Sequence, residues 1–421
     1  MRIIADLQIH SKYSRACSQD LIPKNIGQWA DKKGIGIIGT GDLTHPQWLN
    51  ELKSNLEETK PGLFQLHDKS AKTYFMLTGE VSSIYKLGDK VRRVHNMILS
   101  PSFDATDRLI AGLEKVSANL KSDGRPIMGV KCDKLVEIAL EADPRIVIIP
   151  AHVWTPHFGL FGSLSGFDSV EEAFGDYAKY IFAVETGLSS DPKMNWQISK
   201  NDKYALLSNS DAHSLRKIGR EANAFDLDES ALQYDTVLKC IKDKDPKTFL
   251  FTIEFFPEEG KYHLDGHADC KFSCMPEETK KLKGICPKCG KKLLVGVLNR
   301  VDQLGDRKFG FIPKGSIPYK SAIPLEEIIA ETFDVGVGSK KVLAMYEQMV
   351  AKHNEFEILL DLPKEDIEIL GNLDIAQAVI RVREGNVHIE GGYDGIFGKI
   401  HIKAEGDIKK LKKKAAQSAL F

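Results

Sequence analysis

The stretch RIIADLQIHSKYS, residues 2–14, decides how the rest of the chain is read. A short apolar run ends in Asp6. Gln8 and His10 follow, two residues apart and ahead of small polar residues. Side chains two apart on an extended strand point to one side. Such a strand end suits a pair of metal ligands. Gln8 is the anomaly, because a neutral amide stands where an imidazole is expected.

The same pattern recurs along the first 255 residues. Apolar runs at 34–40, 74–84, 94–100, 145–154, 181–188 and 204–213 predict strands, and segments near 23–33, 105–120, 133–142 and 228–243 predict helices between them. Strand–helix alternation over this length predicts an α/β barrel or a related parallel sheet. Ionisable residues sit at the strand ends: Asp42 and His45, Glu80, His95, His152 and His157, Glu185, then Asp211 and His213. In a barrel these converge on one rim. Imidazole with carboxylate suits zinc, manganese or iron. Clustered ions of that kind generate hydroxide and neutralise phosphoryl charge, so phosphate-ester hydrolysis is the natural chemistry.

The 421 residues predict two or three domains, and 42% hydrophobic with 28% charged residues is an ordinary globular mixture. With a net charge of −1, DNA binding has to rest on local patches. No apolar run is long enough to span a bilayer, and the N-terminus lacks a secretory pattern, so a cytoplasmic protein is expected.

Residues 256–318 carry Cys270, Cys274, Cys286 and Cys289 as Cx3C and CPKCG, a spacing that predicts one tetrahedral structural zinc in a small module. Residues 319–408 read as helical, with a short β-rich close from 386 to 403. There VGVGSKKV (335–342) resembles the hairpin of a helix-hairpin-helix, with Lys340 and Lys341 placed for phosphate. The basic tail 409–421 ends in QSALF, where Gln417, Leu420 and Phe421 resemble a shortened sliding-clamp-binding peptide.

The order of ligands, with DLQIHS where DLHxHS is expected, resembles the polymerase-and-histidinol-phosphatase superfamily. That resemblance implies a distorted (β/α)7 barrel over 1–255 holding two or three divalent ions (zinc, manganese or magnesium). It assigns Gln8, His10, Glu80 and Asp211 to a first metal. Glu80 then bridges to a second ion with His95 and His152, and His213, His45 and Asp42 hold a third. His10, Glu80, Asp211 and His213 would be catalytic. Natural drift and a deliberate disabling change are both open for Gln8, the second favoured because the other ligand positions are intact.

Across nearly the whole chain, including IPAHVWTPHFGLFGSLSGFDSVEEAFGD, SNSDAHS and TIEFFPEEGKYHLDGH, the sequence resembles endonuclease Q. No GxxxxGK[ST] phosphate loop is present, so helicase chemistry is not expected. The resemblance implies a nucleoid-associated, monomeric DNA-repair endonuclease. It would use metal-activated hydroxide to cut 5′ to deaminated bases (uracil, hypoxanthine, xanthine) or abasic sites, leaving a 3′-hydroxyl and a 5′-phosphate, with the sliding clamp as a further partner. A base would be extruded into a pocket, for which Trp154, Phe158 and Phe161 are the expected wall or wedge. Gln8 would leave the chain weakly active or inactive. A small-molecule phosphoesterase and a non-catalytic DNA adaptor are the rival readings.

Overall fold

A computed structural model describes residues 1–116 and 118–402. Seven strands form a ring: β1 (Arg2–Asp6), β2 (Ile37–Gly39), β3 (Tyr74–Leu87), β4 (Lys90–Ser100), β5 (Val147–Pro150), β6 (Ala183–Glu185) and β7 (Ala205–Leu207). β1–β2 and β2–β3 pair in parallel, whereas β3–β4 and β4–β5 are antiparallel. Past β5, Val153 N donates to Glu185 O at 3.0 Å, and β6 and β7 pair in parallel. The ring closes just beyond the strands, where Ile9 and Ala212 form a parallel bridge and Asp211 N donates to Gln8 O at 2.9 Å.

Each ring strand contributes an apolar side chain to the interior: Ala5, Ile37, Met76, Met97, Ile149, Ala183 and Leu207 belong to one buried cluster. The opposite faces carry the helices predicted from the sequence. Pro23–Lys33 starts on a proline and stops at Gly34 with φ 85°, the left-handed stop that favours glycine. Phe103–Lys115 is capped by Ser102, whose side chain accepts from Ala105 N. It packs with Cys132–Ala142 over Val94, Ile98 and Ile148.

Four predicted strands, β2, β5, β6 and β7, are shorter than their apolar runs. β5 stops at Pro150 and β7 at Leu207, because the residues beyond leave the ladder to present His152 and Asp211. The strands β8 (Ala222–Asp226) and β9 (Phe249–Glu254) escaped the sequence reading; they extend the sheet antiparallel from β1.

After β9 the chain makes a two-stranded ribbon, Asp265–His267 with Phe272–Cys274, inside the Cys-rich segment. Helices Pro276–Lys281 and Val297–Leu304 come next, and the helical region then follows as Leu325–Phe333, Lys340–Val350, Glu355–Leu360, Lys364–Leu370 and Leu373–Arg383. They enclose Leu325, Ile329, Val342, Tyr346, Ile358 and Val379. A hairpin of His388–Glu390 and Lys399–His401 closes the described chain. Among the described residues no helix is long and apolar enough to cross a membrane.

The helical region is fastened to the barrel by a buried ion pair. Lys33 Nζ lies 2.6 Å from Glu355 Oε2, with side chains only 2% and 4% exposed. Tyr346 OH donates to the same oxygen at 2.8 Å, and Leu325 N to Oε1 at 3.0 Å. Removing one partner of a buried pair leaves an uncompensated charge and costs about 3–5 kcal/mol. Lys33→Ala is therefore expected to lower the denaturation midpoint by that amount of stability in a urea titration, whereas Lys32→Ala, whose Glu347 partner is exposed, should shift it by less than about 1 kcal/mol.

Candidate metal centre

His10 is fully buried and faces three carboxylates. Its Nδ1 lies 3.0 Å from Asp42 Oδ1, and its Nε2 lies 2.9 Å from Asp211 Oδ1 and 3.2 Å from Glu80 Oε2. Asp42 is saturated elsewhere, accepting from Ser11 N at 2.7 Å, Ser11 Oγ at 2.5 Å and Ser14 Oγ at 2.9 Å. Burial pushes the Asp42 carboxyl up, but His10 and the Ser11 donors outweigh it and hold it below the ordinary range. A carboxylate on Nδ1 fixes the ring and leaves Nε2 to a metal.

The other Glu80 oxygen, Oε1, lies 2.6 Å from His95 Nδ1 and 3.1 Å from His152 Nε2. Burial drives His95 down to about 4. For His152 burial also lowers the pKa, but the hydrogen bond and charge of Glu80 prevail and lift it to about 9. Two groups result, His10–Asp211–His213 and Glu80–His95–His152, each with its ligand atoms within 4.8 Å of one another. Glu80 touches both. Imidazole nitrogens and carboxylate oxygens converging without intervening apolar atoms are a donor set that fits divalent ions.

The local backbone is strained to achieve this. Asp42, His152 and Asp211 have φ of 49°, 31° and 48°, in the left-handed region disfavoured for residues with a Cβ. Behind His152, a Cβ on Gly187 would lie 2.4 Å from the His152 Cβ, so only glycine fits there.

Several expected ligands are placed differently. With its amide nitrogen turned to Glu185, Gln8 donates to both carboxylate oxygens at 3.1 Å. Burial raises Glu185 to about 8, and Glu185 also accepts from Asn209 Nδ2 at 2.9 Å and His152 N at 2.7 Å. His45 does not join His213 and Asp42 in a third group. As the residue before Pro46 it caps the helix Pro46–Asn55, its Nδ1 accepting from Trp48 N at 3.4 Å, and it stacks on Tyr13.

The aromatic residues expected to touch DNA divide. Trp154 and Phe161 are each 1% exposed, packed on one another in the core, and Trp154 Nε1 donates to Asn195 Oδ1 at 2.8 Å. They are structural, because the glycines of 159–166 fold the loop inward over them. Phe158 alone lines the cleft, with His157, and stacks at 4.7 Å on His95.

Arg125 was missed, for it lies in a stretch without periodicity. It lines the cleft beside His95, His152 and Asp211, with Nη1 3.4 Å from Glu80 Oε2. Gly124 before it is wedged so tightly that a Cβ would lie 2.2 Å from Asp42 Oδ2, and Pro126 O after it accepts from Ser82 N at 3.0 Å. The guanidinium is thus delivered by a fixed backbone.

In the Cys-rich segment the gathered group is His267, Cys270, Cys286 and Cys289. The expected all-cysteine set has Cys274 in place of His267. Cys274 is instead held against Thr279 Oγ1 at 3.2 Å, and Thr279 itself donates to Asp265. The CPKCG turn is made by Gly290 at φ 74°, whose N donates to Cys286 O at 2.9 Å. Burial raises the Cys286 thiol, but the N–H groups of Lys288 and Cys289 outweigh it and lower its pKa, as a ligand thiolate requires.

Lys340 and Lys341 are exposed at the start of their helix. The preceding turn is tied toward the metal rim, since Arg216, three residues past His213, donates from Nη2 to Val337 O at 3.0 Å. Gln417, Leu420 and Phe421, with the tail from 409, lie outside the described residues.

A seven-stranded ring bearing imidazoles and carboxylates on one rim, followed by a Cys-rich module and a helical region, is a polymerase-and-histidinol-phosphatase barrel with two appendages. The chain is similar to the lesion-specific endonuclease PfuEndoQ from Pyrococcus furiosus, at 32% identity and a TM-score of 0.85, covering 96% of both chains. It is equally similar to an Endonuclease Q solved with a 27-mer duplex carrying an abasic lesion at the active site, at 32% identity and a TM-score of 0.83 over 96% of this chain and 98% of that one. The chain belongs to the endonuclease Q family. Residues 324–386 match the family model described as the MJ0043 C-terminal domain. Uncharacterized protein MJ0043 of Methanocaldococcus jannaschii is 33% identical over 260 residues, which are 60% of this chain; the chain spans 32% of that relative's length.

The two Cys-rich readings differ in one measurement. Cys286→Ser is expected to release one zinc per chain and unfold the segment, while Cys274→Ser keeps the metal. Zinc stoichiometry by atomic absorption on the purified variants checks this, and zinc loss from both would restore the all-cysteine set.

Proposed function

We propose that this chain is a DNA-repair endonuclease that hydrolyses the phosphodiester bond 5′ to a deaminated base (uracil, hypoxanthine or xanthine) or an abasic site, leaving a 3′-hydroxyl and a 5′-phosphate. The observation that carries the reading is Glu80, whose two oxygens face two separate imidazole groups in a cleft that also holds a guanidinium. The family's complex with an abasic duplex supports it. His10, Asp211 and His213 would hold one divalent ion and Glu80, His95 and His152 another. Such ions, when bound, supply Lewis acidity that acidifies water and neutralises phosphoryl charge.

The remaining work falls to the chain. Asp42 orients His10 from behind, and Glu185 holds the strained His152 through its backbone N–H. Arg125 faces the space where the scissile phosphate would lie, and its planar donors suit two phosphoryl oxygens at once. The turn at 335–339 with Lys340 and Lys341 would take the DNA backbone, which positions the duplex without reading its sequence. The lesion nucleotide would be extruded into the cleft beside Phe158. The enzyme would act as a monomer in the cytoplasm at the nucleoid, with residues 417–421 engaging the sliding clamp.

Gln8 bears directly on activity. Its amide grips Glu185 and offers no imidazole to the rim, an arrangement that also favours a second reading, a DNA-binding protein that no longer cuts. The chain as it stands is expected to nick a uracil-containing duplex poorly, and Gln8→His to raise the rate about 10–100-fold, the scale on which single groups around a bound metal act. Denaturing gels of end-labelled duplex give both rates. Equal rates in the two forms would remove Gln8 from the metal centre, and no nicking by either would leave the non-cutting reading.

Arg125→Ala in the Gln8→His background is expected to lower kcat about 100-fold with little change in metal content, since removing one donor aimed at developing charge costs about 10²–10³. Arg125→Lys should recover only part, lacking the second donor. Single-turnover nicking with metal stoichiometry separates this from loss of an ion.

A further inference from the structure

The hairpin that closes the described chain holds two apolar side chains out in solvent. Its loop, GGYDGIFG (391–398), is laid rigidly on the turn that follows β9: Gly392 N donates to Glu258 O at 2.8 Å, Gly395 N to Lys261 O at 3.0 Å and Gly398 N to Glu259 O at 3.0 Å. Tyr393 and Ile396 exchange backbone bonds of 3.0 and 2.8 Å across the loop. The fit leaves no slack, because a Cβ on Gly392 would lie 2.3 Å from Gly260 O and one on Gly398 would lie 2.2 Å from Glu258 O. Yet Ile396 is 40% and Phe397 64% exposed.

The turn beneath this loop lies against the wall of the metal cleft. A Cβ on Gly260 would lie 3.7 Å from Leu188 O, and Leu188 lines the cleft together with His152 and Asp211. Lys261 stands over the Phe397 ring, its Nζ 4.9 Å from the centroid. The tip therefore combines an aromatic face, an aliphatic neighbour and a cation on an unyielding backbone, one packed turn away from the rim. A side chain meant for the core would not be fixed outward by that many backbone bonds. A DNA wedge needs this combination: an apolar group to enter between base pairs and a cation for the flanking phosphate.

We infer that Ile396 and Phe397 form a wedge that enters duplex DNA beside the lesion and takes the stacking place vacated by the extruded nucleotide, with Lys261 on the adjoining phosphate. This rests on the reading of the chain as a lesion endonuclease that extrudes its target. It moves the wedge from the buried Trp154 and Phe161 to a residue that solvent already reaches. Single-stranded DNA, which has no partner stack to open, would need the wedge less than duplex does.

Two measurements on the full chain test it. The first needs no cleavage. A duplex with 2-aminopurine next to an abasic site is titrated with the chain as it stands, and the fluorescence gain on unstacking is read. Phe397→Ala is expected to lose most of the gain at saturating protein, and Phe397→Trp to keep it. The second uses the Gln8→His form: the ratio of duplex to single-strand nicking of uracil DNA should fall roughly tenfold in Phe397→Ala, the scale of one lost base–aromatic stack. An unchanged gain with an unchanged ratio overturns the wedge while leaving the endonuclease reading intact. Absence of nicking with a gain lost only in Phe397→Ala refutes the endonuclease and keeps the wedge. A change in oligomeric state of Phe397→Ala by sedimentation, with normal fluorescence, would make the tip a self-association surface and overturn the proposal.

Discussion

The molecule is organised around one imidazole. His10 has no solvent exposure, and carboxylates from three other segments meet its two nitrogens: Asp42 after β2, Glu80 in β3 and Asp211 after β7. These contacts fix where strands that are remote in sequence must end relative to one another, and so fix the closure of the ring. They also concentrate negative charge in a low-dielectric place, where it is tolerable only if paired. Arg125 supplies one fixed cation, and the convergent donor atoms leave room for divalent ions to supply the rest. Three positive-φ residues stand in the same cluster, each costing about 1–3 kcal/mol. Packing elsewhere in the barrel has to offset that.

Much of this was legible in the sequence because both signals are local. A strand reads as an apolar run, and an acid or histidine at its end reads as chemistry. The helices expected near 23–33 and 133–142 form at Pro23–Lys33 and Cys132–Ala142, and the strand-end residues His10, Asp211 and His213, and Glu80, His95 and His152, come together in two groups. What escaped depends on neighbours far along the chain. Arg125 has no periodic context, and only Gly124 jammed on Asp42 shows why it points into the cleft. His45 looked like a ligand because histidine at a strand end usually deserves that reading, but its place before Pro46 makes it a helix cap, a local signal that was outweighed.

The aromatic loop and the cysteines are placed differently from the sequence expectation for a common reason. Residue type was read without burial or competing partners. Trp154 and Phe161 look exposed among glycines, yet those glycines let the loop fold inward and cover them. Cys274 has ligand spacing, but its sulfur lies against the Thr279 hydroxyl, and His267 from the opposite strand of the ribbon stands with the other three thiols. Gln8 is the sharpest case. Sequence marks it as a missing imidazole, and structure adds that the amide has found other work on Glu185.

The Lys33–Glu355 pair makes the helical region part of the barrel's own interior. The region matching the MJ0043 C-terminal domain, 324–386, includes Glu355 but not its cation. Opening the seam would strand an ammonium in an apolar pocket and a carboxylate beside Tyr346, so neither part can unfold locally without drawing in the other. The consequence is cooperativity: the stability of the helical region and that of the barrel are coupled through one buried ion pair.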